Sequence, residues 1–441
     1  MKRYHDKSRE IPVYGDFDVL VCGGGSAGFV AAIAAARQGA KTLLVERYGF
    51  LGGTATAAMM LEFGSMYDGK QVLLGGITHE FLHRLEATEG APFSRKEGHS
   101  MVFDPESMIA LCQKMVEESG AEILLHSWLA DAIVEEGKVT GVIVENKSGR
   151  CAIFGKVIID CSGDGDIAAR AGALWEMGRP GDMKLQPVTI EILLGNVDST
   201  KIDYHHHQLI PKIAEARESG KWTIPTEQLF SWGRVRKQGA PDEPRHSFFF
   251  INGTNAVDVD ATDARSLTGA ELQTRRQIEQ MLEFLKGNAP GFENSYLDRV
   301  AAQIGVRETR RISGDYTLTR EDVLAARHFH DGLVPACNSI DVHDVSGRAF
   351  KHEYLRESTH YQIPYRCFLP KGLEGMLVAG RCLSADHWAL GSARVMIITM
   401  PMGEAAGIAA ALAANEKISL RKVSVPVIQK MLRDAGTVLE T

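Results

Sequence analysis

The chain has 441 residues, of which 44% are hydrophobic and 24% are charged, and its formal net charge is -7. This length and composition are typical of a globular protein of two or three domains. Since no run of Lys and Arg concentrates positive charge, nucleic acid is excluded as an expected partner.

Cysteine usage and the N-terminal residues bear on the cellular location. The seven cysteines are scattered without a CxxC pair, which favours a reducing compartment and argues against a zinc or iron–sulfur site. Residues 1–16 contain no apolar core long enough for a signal peptide, so the sequence predicts a cytoplasmic protein. Residues 395–414 imitate a membrane span, but Pro401 and Glu404 interrupt them, which favours a buried helix and no membrane span.

The first predicted unit is a βαβ motif. Residues 16–22 (DFDVLVC) become fully apolar and indicate a buried parallel strand, and residues 41–46 (KTLLVE) indicate a second strand. The Ala-rich segment 26–40 between them predicts a helix that ends at Gly39. We expect the two strands to be parallel and joined by a right-handed crossover.

Capping and turn signals define the next elements. Asp104 is a typical N-cap, Pro105 suits the first helical position, and Gly120 ends the predicted helix. Residues 121–166 then predict successive strands, joined at the turns EGK and KSGR. We expect a three-stranded antiparallel insert that returns to a final parallel strand.

From about residue 187 the pattern changes to strand-like runs that alternate with helices. Thr268 with Glu271, and Thr319 with Asp322, match the capping pattern of two helix starts. After residue 361 the chain returns to the strand, loop and buried-helix pattern of the N-terminus. The sequence therefore predicts a discontinuous first domain, residues 1–186 and 362–441, and a substrate domain, residues 187–361.

A GxGxxG pattern lies between the first strand and the first helix, in the stretch CGGGSAG. Its glycines allow a tight turn, approach of the backbone to a pyrophosphate, and close helix–strand packing, while the helix start presents N–H groups to the phosphates. Glu46, at the end of the second strand, suits a ribose hydroxyl and would repel a 2′-phosphate, so FAD and NAD remain as candidates. The predicted contacts of this unit are Gly23, Gly25, Ser26, Ala27, Gly28 and Glu46.

The following stretch, ERYGFLGG, resembles the Glu-Arg then Gly-Gly continuation of flavoproteins of the glutathione-reductase type. In those proteins the loop runs beside the pyrophosphate and the ribityl chain of the flavin. The resemblance implies FAD as the cofactor, in contact with Arg47, Gly52, Gly53 and Thr54.

Further blocks are similar to a bacterial group of FAD-dependent oxidoreductases, namely VIIDCSGDGDIAARAGA, IGVRETRRISGDYTLTREDV and the long stretch that begins IPYRCFLPKGLEGMLVAGRCLSADHWALGSAR. With the predicted elements, this resemblance implies an α/β fold: a Rossmann-like FAD-binding domain with an antiparallel β insert, plus a mixed α+β substrate domain. It implies further FAD contacts at Ala130, Gly163, Asp164, Asp166, Gly380 and Arg381.

Arg381 departs from a common flavoprotein pattern. Many such enzymes have Gly-Asp where this chain has Gly380 and Arg381, and their Asp binds the ribityl hydroxyls. A cation at this position would reach the pyrophosphate instead, and the ribityl contact would fall to Asp164, Asp166 or Asp386.

The stretch CSGDGDIAARAG, residues 161–172, is a second glycine pattern after a predicted strand. As an NAD(P) site it lacks a following strand that ends in Asp or Glu, and Asp164 and Asp166 would oppose a pyrophosphate. As the second fingerprint of aromatic hydroxylases it has Ala168 in place of Ser, and Arg170 stands one place early. The third interpretation, which the resemblance favours, is that the turn contacts the same FAD and leaves its two aspartates free for hydroxyls or capping.

The flavin carries the redox chemistry, and the protein must position the substrate and tune the flavin. We expect the helix after Pro401 to meet the flavin with its N-terminus, through Met402, Gly403 and Ala405. A buried packing helix, which would use the same small residues, is the alternative.

For a base, His387 is the first candidate and His360 the second, with a hydrogen-bonded structural role as the alternative for each. Arg366 and Arg394 would hold a substrate carboxylate. The arginines of GVRETRR lie beside Glu308, which favours an internal salt-bridge network. No metal is expected at His205–His207, because adjacent histidines would not face one ion from a strand or helix.

The leading hypothesis is an FAD-dependent oxidoreductase that oxidises a small polar substrate (an alcohol, polyol or sugar, hydroxy acid or amine) by hydride transfer to the flavin. Reduction of an activated C=C bond is the alternative reaction on the same scaffold. An NAD-dependent dehydrogenase and a non-catalytic flavin-binding protein are alternatives of other classes. The expected partners are the substrate, an electron acceptor such as oxygen, a quinone or a carrier protein, and a second copy of the chain in a homo-oligomer.

Overall fold

The structure is a computed structural model that describes residues 10–64, 66–89, 101–237, 239 and 241–439. Most of the residues that bear on a signal peptide lie outside this part. In chain order, the strands are β1 (Val13–Cys22), β2 (Thr42–Val45), β3 (Glu62–Phe63), β4 (Met101–Val102), β5 (Glu122–Leu124), β6 (Trp128–Glu135), β7 (Lys138–Asn146), β8 (Gly149–Asp160), β9 (Trp175–Glu176), β10 (Ile192–Val197), β11 (Ser231–Val235), β12 (Ser247–Asn252), β13 (Tyr296–Val300), β14 (Arg311–Ile312), β15 (Gly332–Ala336), β16 (Ile340–His343), β17 (Phe350–Glu353), β18 (Tyr361–Pro364) and β19 (Met376–Val378).

The helices of the same residues alternate with these strands. They are α1 (Ser26–Arg37), α2 (Gly76–Glu89), α3 (Pro105–Ser119), α4 (Asp166–Arg170), α5 (Ile210–Glu218), α6 (Ala264–Asn288), α7 (Arg320–Leu324), α8 (His387–Ala393), α9 (Met396–Glu416) and α10 (Val425–Asp434).

A seven-stranded mixed sheet carries the first glycine turn. Its order is β5-β2-β1-β8-β7-β6, with β19 also paired to β8. Strands β5, β2, β1, β8 and β19 are parallel, whereas β6, β7 and β8 form antiparallel pairs. The predicted βαβ unit and the predicted antiparallel insert are thus confirmed, as is the α/β fold class.

Strand β8 serves both parts of the sheet. Its first half pairs with β7 and its last residues pair with β19, while β1 pairs along most of its length. Since β1, β2 and β8 are parallel, their carboxyl ends lie at one edge of the sheet. The loops after these three strands therefore meet at that edge, which is where open α/β sheets bind ligands.

Helices α1 and α9 pack in direct contact behind the sheet. A Cβ on Gly403 would lie 2.0 Å from the Ala27 carbonyl oxygen, and a Cβ on Gly407 would lie 2.4 Å from the Ala31 oxygen. These two glycines, one turn apart on α9, let the two backbones approach. The predicted start of this helix was wrong: α9 begins at Met396, and Pro401 lies inside it.

Within the described residues, α9 is the one helix long and apolar enough to cross a membrane by length and composition. Its apolar window is 94% buried inside the protein. A buried core helix passes the same test, so α9 is weak evidence for a membrane span.

The central part of the chain forms a second, antiparallel sheet of order β11-β12-β10-β13. Helix α6 packs beside it, with Met281 against Gly253 at the end of β12. The predicted start of α6 at Thr268 was wrong, because Asp263 caps it by accepting from the Ser266 N–H. The predicted box of Thr319 and Asp322 is confirmed at α7.

The division into two domains stays a prediction. Its second boundary, between residues 361 and 362, falls inside β18, which pairs with β15 of the preceding segment. The chain therefore crosses from one predicted domain to the other within a paired strand.

Candidate active site

The first glycine turn lies between β1 and α1. Gly23 has a φ of 101°, a left-handed conformation that favours glycine, and a Cβ there would lie 2.6 Å from the Cys161 carbonyl oxygen. A Cβ on Gly28 would lie 1.8 Å from the Gly23 oxygen. A Cβ on Gly25 would meet only Gly53, 3.8 Å away. Packing therefore requires glycine at positions 23 and 28, whereas Gly25 leaves room for a ligand.

Glu46 lies at the end of β2 and holds this turn in place. Its Oε2 accepts a hydrogen bond from the Gly24 N–H at 2.6 Å, and its Oε1 accepts one from the Tyr48 N–H at 2.9 Å. Each carboxylate oxygen can accept a further hydrogen bond. The buried Glu46 side chain is therefore fixed beside Gly23 in the position that a ribose hydroxyl requires.

Arg47 lies between two aromatic rings. Its guanidinium carbon is 4.9 Å from the centroid of Tyr48 and 5.4 Å from that of Trp128. Its Nη2 donates to Oε1 of Gln303 at 2.7 Å, and the Tyr48 hydroxyl bonds to the same oxygen. Gln303 carries no local motif, so sequence reasoning missed it.

The second glycine turn, after β8, is held by Asp160. This fully buried carboxylate accepts from the backbone N–H groups of Ser162, Ile167 and Ala168 at 2.9–3.0 Å. Burial raises the pKa of Asp160. Asp160 thus caps the start of α4 and shapes the turn around Gly163, a role that the sequence did not reveal.

Asp164 and Asp166, which were expected to be available for hydroxyls or capping, each use one carboxylate oxygen in contacts with other side chains. Oδ1 of Asp164 accepts from the Thr309 hydroxyl at 2.6 Å and pairs with Arg381 at 2.9 Å. Oδ1 of Asp166 accepts from Arg310 at 3.0 Å. These ion pairs neutralise the negative charge that would oppose a pyrophosphate at the second turn.

Asp386 is not free for a ribityl hydroxyl either. Its Oδ1 accepts from the N–H groups of Trp388 and Ala389 at the start of α8, and its Oδ2 accepts from the Arg320 N–H at 2.7 Å. Oδ1 thus caps α8, of which Asp386 is the N-cap, whereas Oδ2 bonds to the first residue of α7.

One cleft joins the two turns, and we call it the dinucleotide cleft. The residues predicted from the sequence that border it are Gly23, Gly25, Ser26, Ala27, Glu46, Arg47, Gly53, Thr54, Gly163, Gly380, Arg381 and Arg394. The cleft also meets residues that were not predicted, among them Tyr48, Gln303, Val306, Met396 and Thr399. The open face of Gly25, the first N–H groups of α1 and the Glu46 carboxylate fit the pyrophosphate and ribose of FAD.

Three predicted FAD contacts support the cleft from outside its lining. Gly28 packs the turn, and Gly52 precedes the short turn Gly53–Ala55. Ala130 lies at a bulge of β6, where the pairing with β7 shifts between Leu129 and Asp131. Trp128 and Leu129, which precede Ala130, border a pocket shared with Glu46 and Arg47, so this edge of β6 adjoins the cleft.

Met402, Gly403 and Ala405, which were expected to meet the flavin, do not border the dinucleotide cleft. All three are buried, with Gly403 against α1, and the cleft instead meets Met396 and Thr399 at the true start of the helix. The helix dipole is positive at this end, where the Ile398 and Thr399 N–H groups donate to the carbonyl of the N-cap residue Val395.

His387 is buried behind the cleft. Its Nδ1 lies 2.9 Å from Oε1 of Glu308, and neither side chain is more than 1% exposed. Glu308 also bonds to Arg311, which confirms the predicted salt-bridge network at GVRETRR. His387 itself is not among the residues that border the cleft.

His360 and Arg366 lie elsewhere. Nδ1 of His360 is 3.3 Å from Oδ2 of Asp68, and Arg366 forms a two-pronged ion pair with Asp331 at 2.8 and 3.1 Å. Neither borders the dinucleotide cleft, whereas Arg394 does. Arg366 was therefore a wrong choice for a substrate-binding residue, since its guanidinium is already used.

A buried polar group, which we call the polar cluster, adjoins the cleft at Arg394. Nη2 of Arg394 donates to the Asp341 carbonyl at 3.0 Å and lies 3.4 Å from the Asp341 Oδ2, while Nε2 of His343 lies 3.7 Å from the same Oδ2. The His343 N–H donates to Oε1 of Gln186 at 3.1 Å. The members are Gln186, Arg307, Asp341, His343 and Arg394.

Several buried polar atoms of the polar cluster have no hydrogen-bond partner among the described residues. They are Nε2 of Gln186, Oδ1 of Asp341, Nδ1 of His343 and Nε of Arg394. Burial lowers the pKa of His343 to about 4 and that of Arg307 to about 10, and the charges of neighbouring arginines add to both effects. Buried polar atoms in native proteins almost always have partners, so these atoms are available to hydrogen-bond a ligand.

The three adjacent histidines meet more closely than predicted. His205 precedes a short turn, His206–Leu209, and the ring centroids lie 4.1–4.6 Å apart. Burial lowers the pKa of His206 to about 3. The geometric reason for excluding a metal was thus wrong, and the absence of a metal stays a prediction.

Comparisons with known proteins relate the chain to flavoenzymes. The sequence model of one family, described as FAD dependent oxidoreductase, matches residues 18–432. Digeranylgeranylglycerophospholipid reductase 2 of Methanopyrus kandleri is 27% identical over 173 residues, 38% of this chain and 43% of that protein. Thiamine thiazole synthase of Methanococcus aeolicus is 31% identical over 163 residues, 35% of this chain and 57% of that protein.

A shorter match is closer in sequence. Dihydrolipoyl dehydrogenase of Trypanosoma brucei brucei is 54% identical over 46 residues, 10% of either chain. The matches thus span less than two thirds of each of these relatives. Among solved structures, the OxyS anhydrotetracycline hydroxylase from Streptomyces rimosus has a TM-score of 0.46 at 12% identity, covering 95% of this chain and 68% of that chain.

Proposed function

The chain belongs to the family of FAD-dependent oxidoreductases, and on that premise we propose that it oxidises a small polar substrate by hydride transfer to FAD. The substrate classes are an alcohol, a polyol or sugar, a hydroxy acid and an amine. The observation that carries the proposal is the buried polar cluster at the Arg394 end of the dinucleotide cleft. An apolar substrate would leave those polar atoms without partners.

Different residues along the cleft contact different parts of FAD. The α1 start and the open face of Gly25 bind the pyrophosphate, and Glu46 binds a ribose hydroxyl. Arg381, paired with Asp164, supplies positive charge beside the second turn. Bound FAD accepts two electrons together with one hydrogen as a hydride.

The proton of the substrate requires a second acceptor. When the C–H hydrogen leaves a hydroxyl-bearing carbon with its electron pair, the O–H proton must pass to a base. His387 was the first sequence candidate, but its Nδ1 is bonded to Glu308 and it lies behind the cleft lining. We therefore give His387 a positioning role through Glu308 and place the base in the polar cluster.

Anaerobic mixing tests the reaction. FAD-loaded protein is mixed with polyols, sugars, hydroxy acids, amino acids and amines, and the visible absorption of the flavin is followed. We expect at least one of these donors to bleach the flavin. If none does, while dithionite-reduced protein passes its electrons to an activated alkene, the oxidation proposal is wrong.

Reduction of an activated C=C bond is the second candidate. The observation that favours it is the 173-residue match to a protein named as a digeranylgeranylglycerophospholipid reductase. The buried cations of the polar cluster argue for a polar substrate instead. The same mixing experiment separates the two reactions, because only one of them requires the flavin to be reduced beforehand.

The location and the electron acceptor complete the proposal. We place the protein in the cytoplasm, which the seven free cysteines support. The acceptor is oxygen, a quinone or a carrier protein, and reoxidation of the bleached protein by each in turn distinguishes them. A homo-oligomer is the other proposed partner, and sedimentation of the FAD-loaded protein tests it.

A further inference from the structure

We propose that the polar cluster is an anion site and that the substrate is a 2-hydroxy acid, with its carboxylate bound by Arg307 and Arg394 and its hydroxyl proton accepted by His343. This inference rests on the proposed oxidation and narrows its substrate class.

The guanidinium of Arg307 is a buried charge that forms no ion pair with a carboxylate of the described residues. Its side chain is only 8% exposed, and its hydrogen bonds go to two neutral oxygens, the Pro187 carbonyl at 2.8 Å and the Thr189 hydroxyl at 2.7 Å. Among the described residues it has no carboxylate partner. A buried guanidinium without a counter-ion is strongly unfavourable, so this site is built to receive an anion.

Arg394 adds a second cation with one shared counter-ion. Its only ion pair is with Asp341, at 3.4 Å, and its buried Nε has no partner among the described residues. Of the other nearby acids, Glu308 pairs with Arg311, and burial raises the pKa of Glu191, which disfavours its charged form. Among the described residues, Asp341 is thus the one carboxylate that forms an ion pair with either arginine.

Arg394 also links the anion site to the cofactor. It borders the dinucleotide cleft, as does Val306, the residue directly before Arg307. An anionic substrate held by Arg307 and Arg394 would therefore lie beside the dinucleotide cleft, which Met396 and Thr399 also border.

His343 stands where a proton acceptor is needed. Its Nε2 faces the Asp341 carboxylate at 3.7 Å, which favours a proton on Nε2 and a lone pair on Nδ1. Nδ1 is buried without a partner among the described residues. The ring is held by Phe230, whose centroid lies 4.5 Å away, and Arg307 lies over the same Phe230 ring at 5.4 Å.

Asp341 is shared by Arg394, which would bind the anion, and His343, which would accept the proton. Because Arg394 and His343 both face its Oδ2, the anion site and the proton acceptor are neighbours. A substrate with the hydroxyl on the carbon next to the carboxylate matches this arrangement. With FAD bound, the C–H hydrogen would leave with its two electrons to the flavin as a hydride, Nδ1 of His343 would accept the O–H proton, and the product would be a 2-oxo acid.

The test uses FAD-loaded full-length protein under anaerobic conditions. Lactate, glycolate and malate are compared with their amides and with 1,2-propanediol, and the rate of flavin bleaching is measured. We expect the acids to bleach the flavin at least about 100-fold more efficiently than the amides, because two charge-assisted contacts are lost in the amides.

Binding is measured separately from the reaction. Pyruvate and oxalate, which donate no hydride, are titrated while the flavin spectrum is recorded. Arg307→Gln and Arg394→Gln are expected to weaken their binding about 10- to 100-fold, and Arg307→Lys to restore part of it. Arg276→Gln, on the exposed face of α6, is the matched control and should bind both as the wild type does.

His343→Gln separates the base from the anion site. We expect it to bind pyruvate as the wild type does and to bleach slowly, without the wild-type pH dependence of bleaching. Flavin content and thermal stability are recorded for every variant. If Arg307→Gln does not fold, Arg307→Lys provides the binding comparison.

The outcomes separate this inference from the proposed function. If neutral polyols, sugars or amines bleach the flavin as well as the acids do, the anion site is wrong and the oxidation proposal stands. If no donor bleaches it, yet pyruvate binds and needs both arginines, the anion site stands and the oxidation proposal fails. Wild-type protein that binds neither pyruvate nor oxalate overturns the inference.

Discussion

Among single residues, the glycines of the first turn have different tasks. Gly28 has no space for a Cβ, whereas Gly25 has space on the side that faces the cleft. Glu46 and Asp160 hold the backbone of the two turns through five N–H groups in all. The glycine pattern and Glu46 could be recognised from sequence, because their spacing along the chain is fixed by one βαβ unit.

The two glycines give a matched pair of substitutions. Gly25→Ala is expected to fold with a free energy of unfolding within about 1 kcal/mol of the wild type, because its Cβ meets only Gly53 at 3.8 Å, but to lose most FAD binding. Gly28→Ala should fail to fold stably. Urea unfolding and flavin content after reconstitution measure both effects. Wild-type FAD affinity in Gly25→Ala would contradict the placement of the pyrophosphate.

Asp160 offers a test of the second turn. Asp160→Asn keeps the size of the side chain but replaces one acceptor oxygen with a donor that faces N–H groups. We expect a loss of about 1–3 kcal/mol in the free energy of unfolding and weaker FAD binding, measured by urea titration and flavin fluorescence. The exposed Asp258→Asn is the control. Unchanged stability of Asp160→Asn would show that the turn does not depend on this carboxylate.

At the scale of elements, the loops after the parallel strands form the dinucleotide cleft, and the long helix α9 packs behind the sheet. Sequence patterns predicted β1, α1, β2 and the antiparallel insert, because each carries its own local signal. The start of α9 was misplaced, because Pro401 was taken as a boundary although the helix continues through it. Contacts such as Arg47 with Gln303 join residues 256 positions apart and leave no local signal.

The contact between α9 and α1 predicts a large effect of one methyl group. Gly403→Ala would place a Cβ 2.0 Å from the Ala27 oxygen, so the two helices must separate. We expect a loss of about 1–3 kcal/mol or more in the free energy of unfolding. Gly269→Ala, at an exposed site in α6 with nothing within 4 Å of the new Cβ, should instead be neutral or slightly stabilising. Equal effects in urea unfolding would contradict the close packing.

Glu404, also on α9, predicts a pH dependence of stability. Its Oε2 accepts from the Ile77 N–H at 3.0 Å, and burial raises its pKa from 4.5 to about 7. The folded protein therefore keeps a proton that the unfolded chain releases. The contribution of protonated Glu404 to the free energy of unfolding is fully present below pH 4.5 and is lost as the pH rises through 7.

Glu404→Gln should remove this dependence. Between pH 4.5 and 7 the wild type is expected to lose up to about 3 kcal/mol more in its free energy of unfolding than the variant does. Urea unfolding at a series of pH values measures the difference. Glu416→Gln, exposed at the end of the same helix, should follow the wild type. Parallel curves for the wild type and Glu404→Gln would contradict the raised pKa.

At the scale of the whole molecule, the polar cluster forms only when separate segments of the chain fold together. Resemblance and local patterns predicted FAD as the cofactor and many residues that border the dinucleotide cleft. The polar cluster, in contrast, draws on Gln186, Arg307, Asp341, His343 and Arg394, which lie on separate segments. No sequence spacing connects these residues, and only the folded structure brings them together in one buried cluster. The histidines chosen from sequence lay near flavin-type motifs, yet their side chains are bonded away from the cleft.

The central claim is that two distant glycine turns hold one FAD. Equilibrium dialysis of the purified chain against FAD and NAD, with Gly163→Val beside the wild type, tests it most directly. A Val at 163 would have its Cβ 2.9 Å from Arg381 Nη2 and would narrow the cleft. We predict one FAD and no NAD per wild-type chain, with FAD lost in the variant. A second nucleotide per chain, or a variant that binds FAD as the wild type does, would contradict the account.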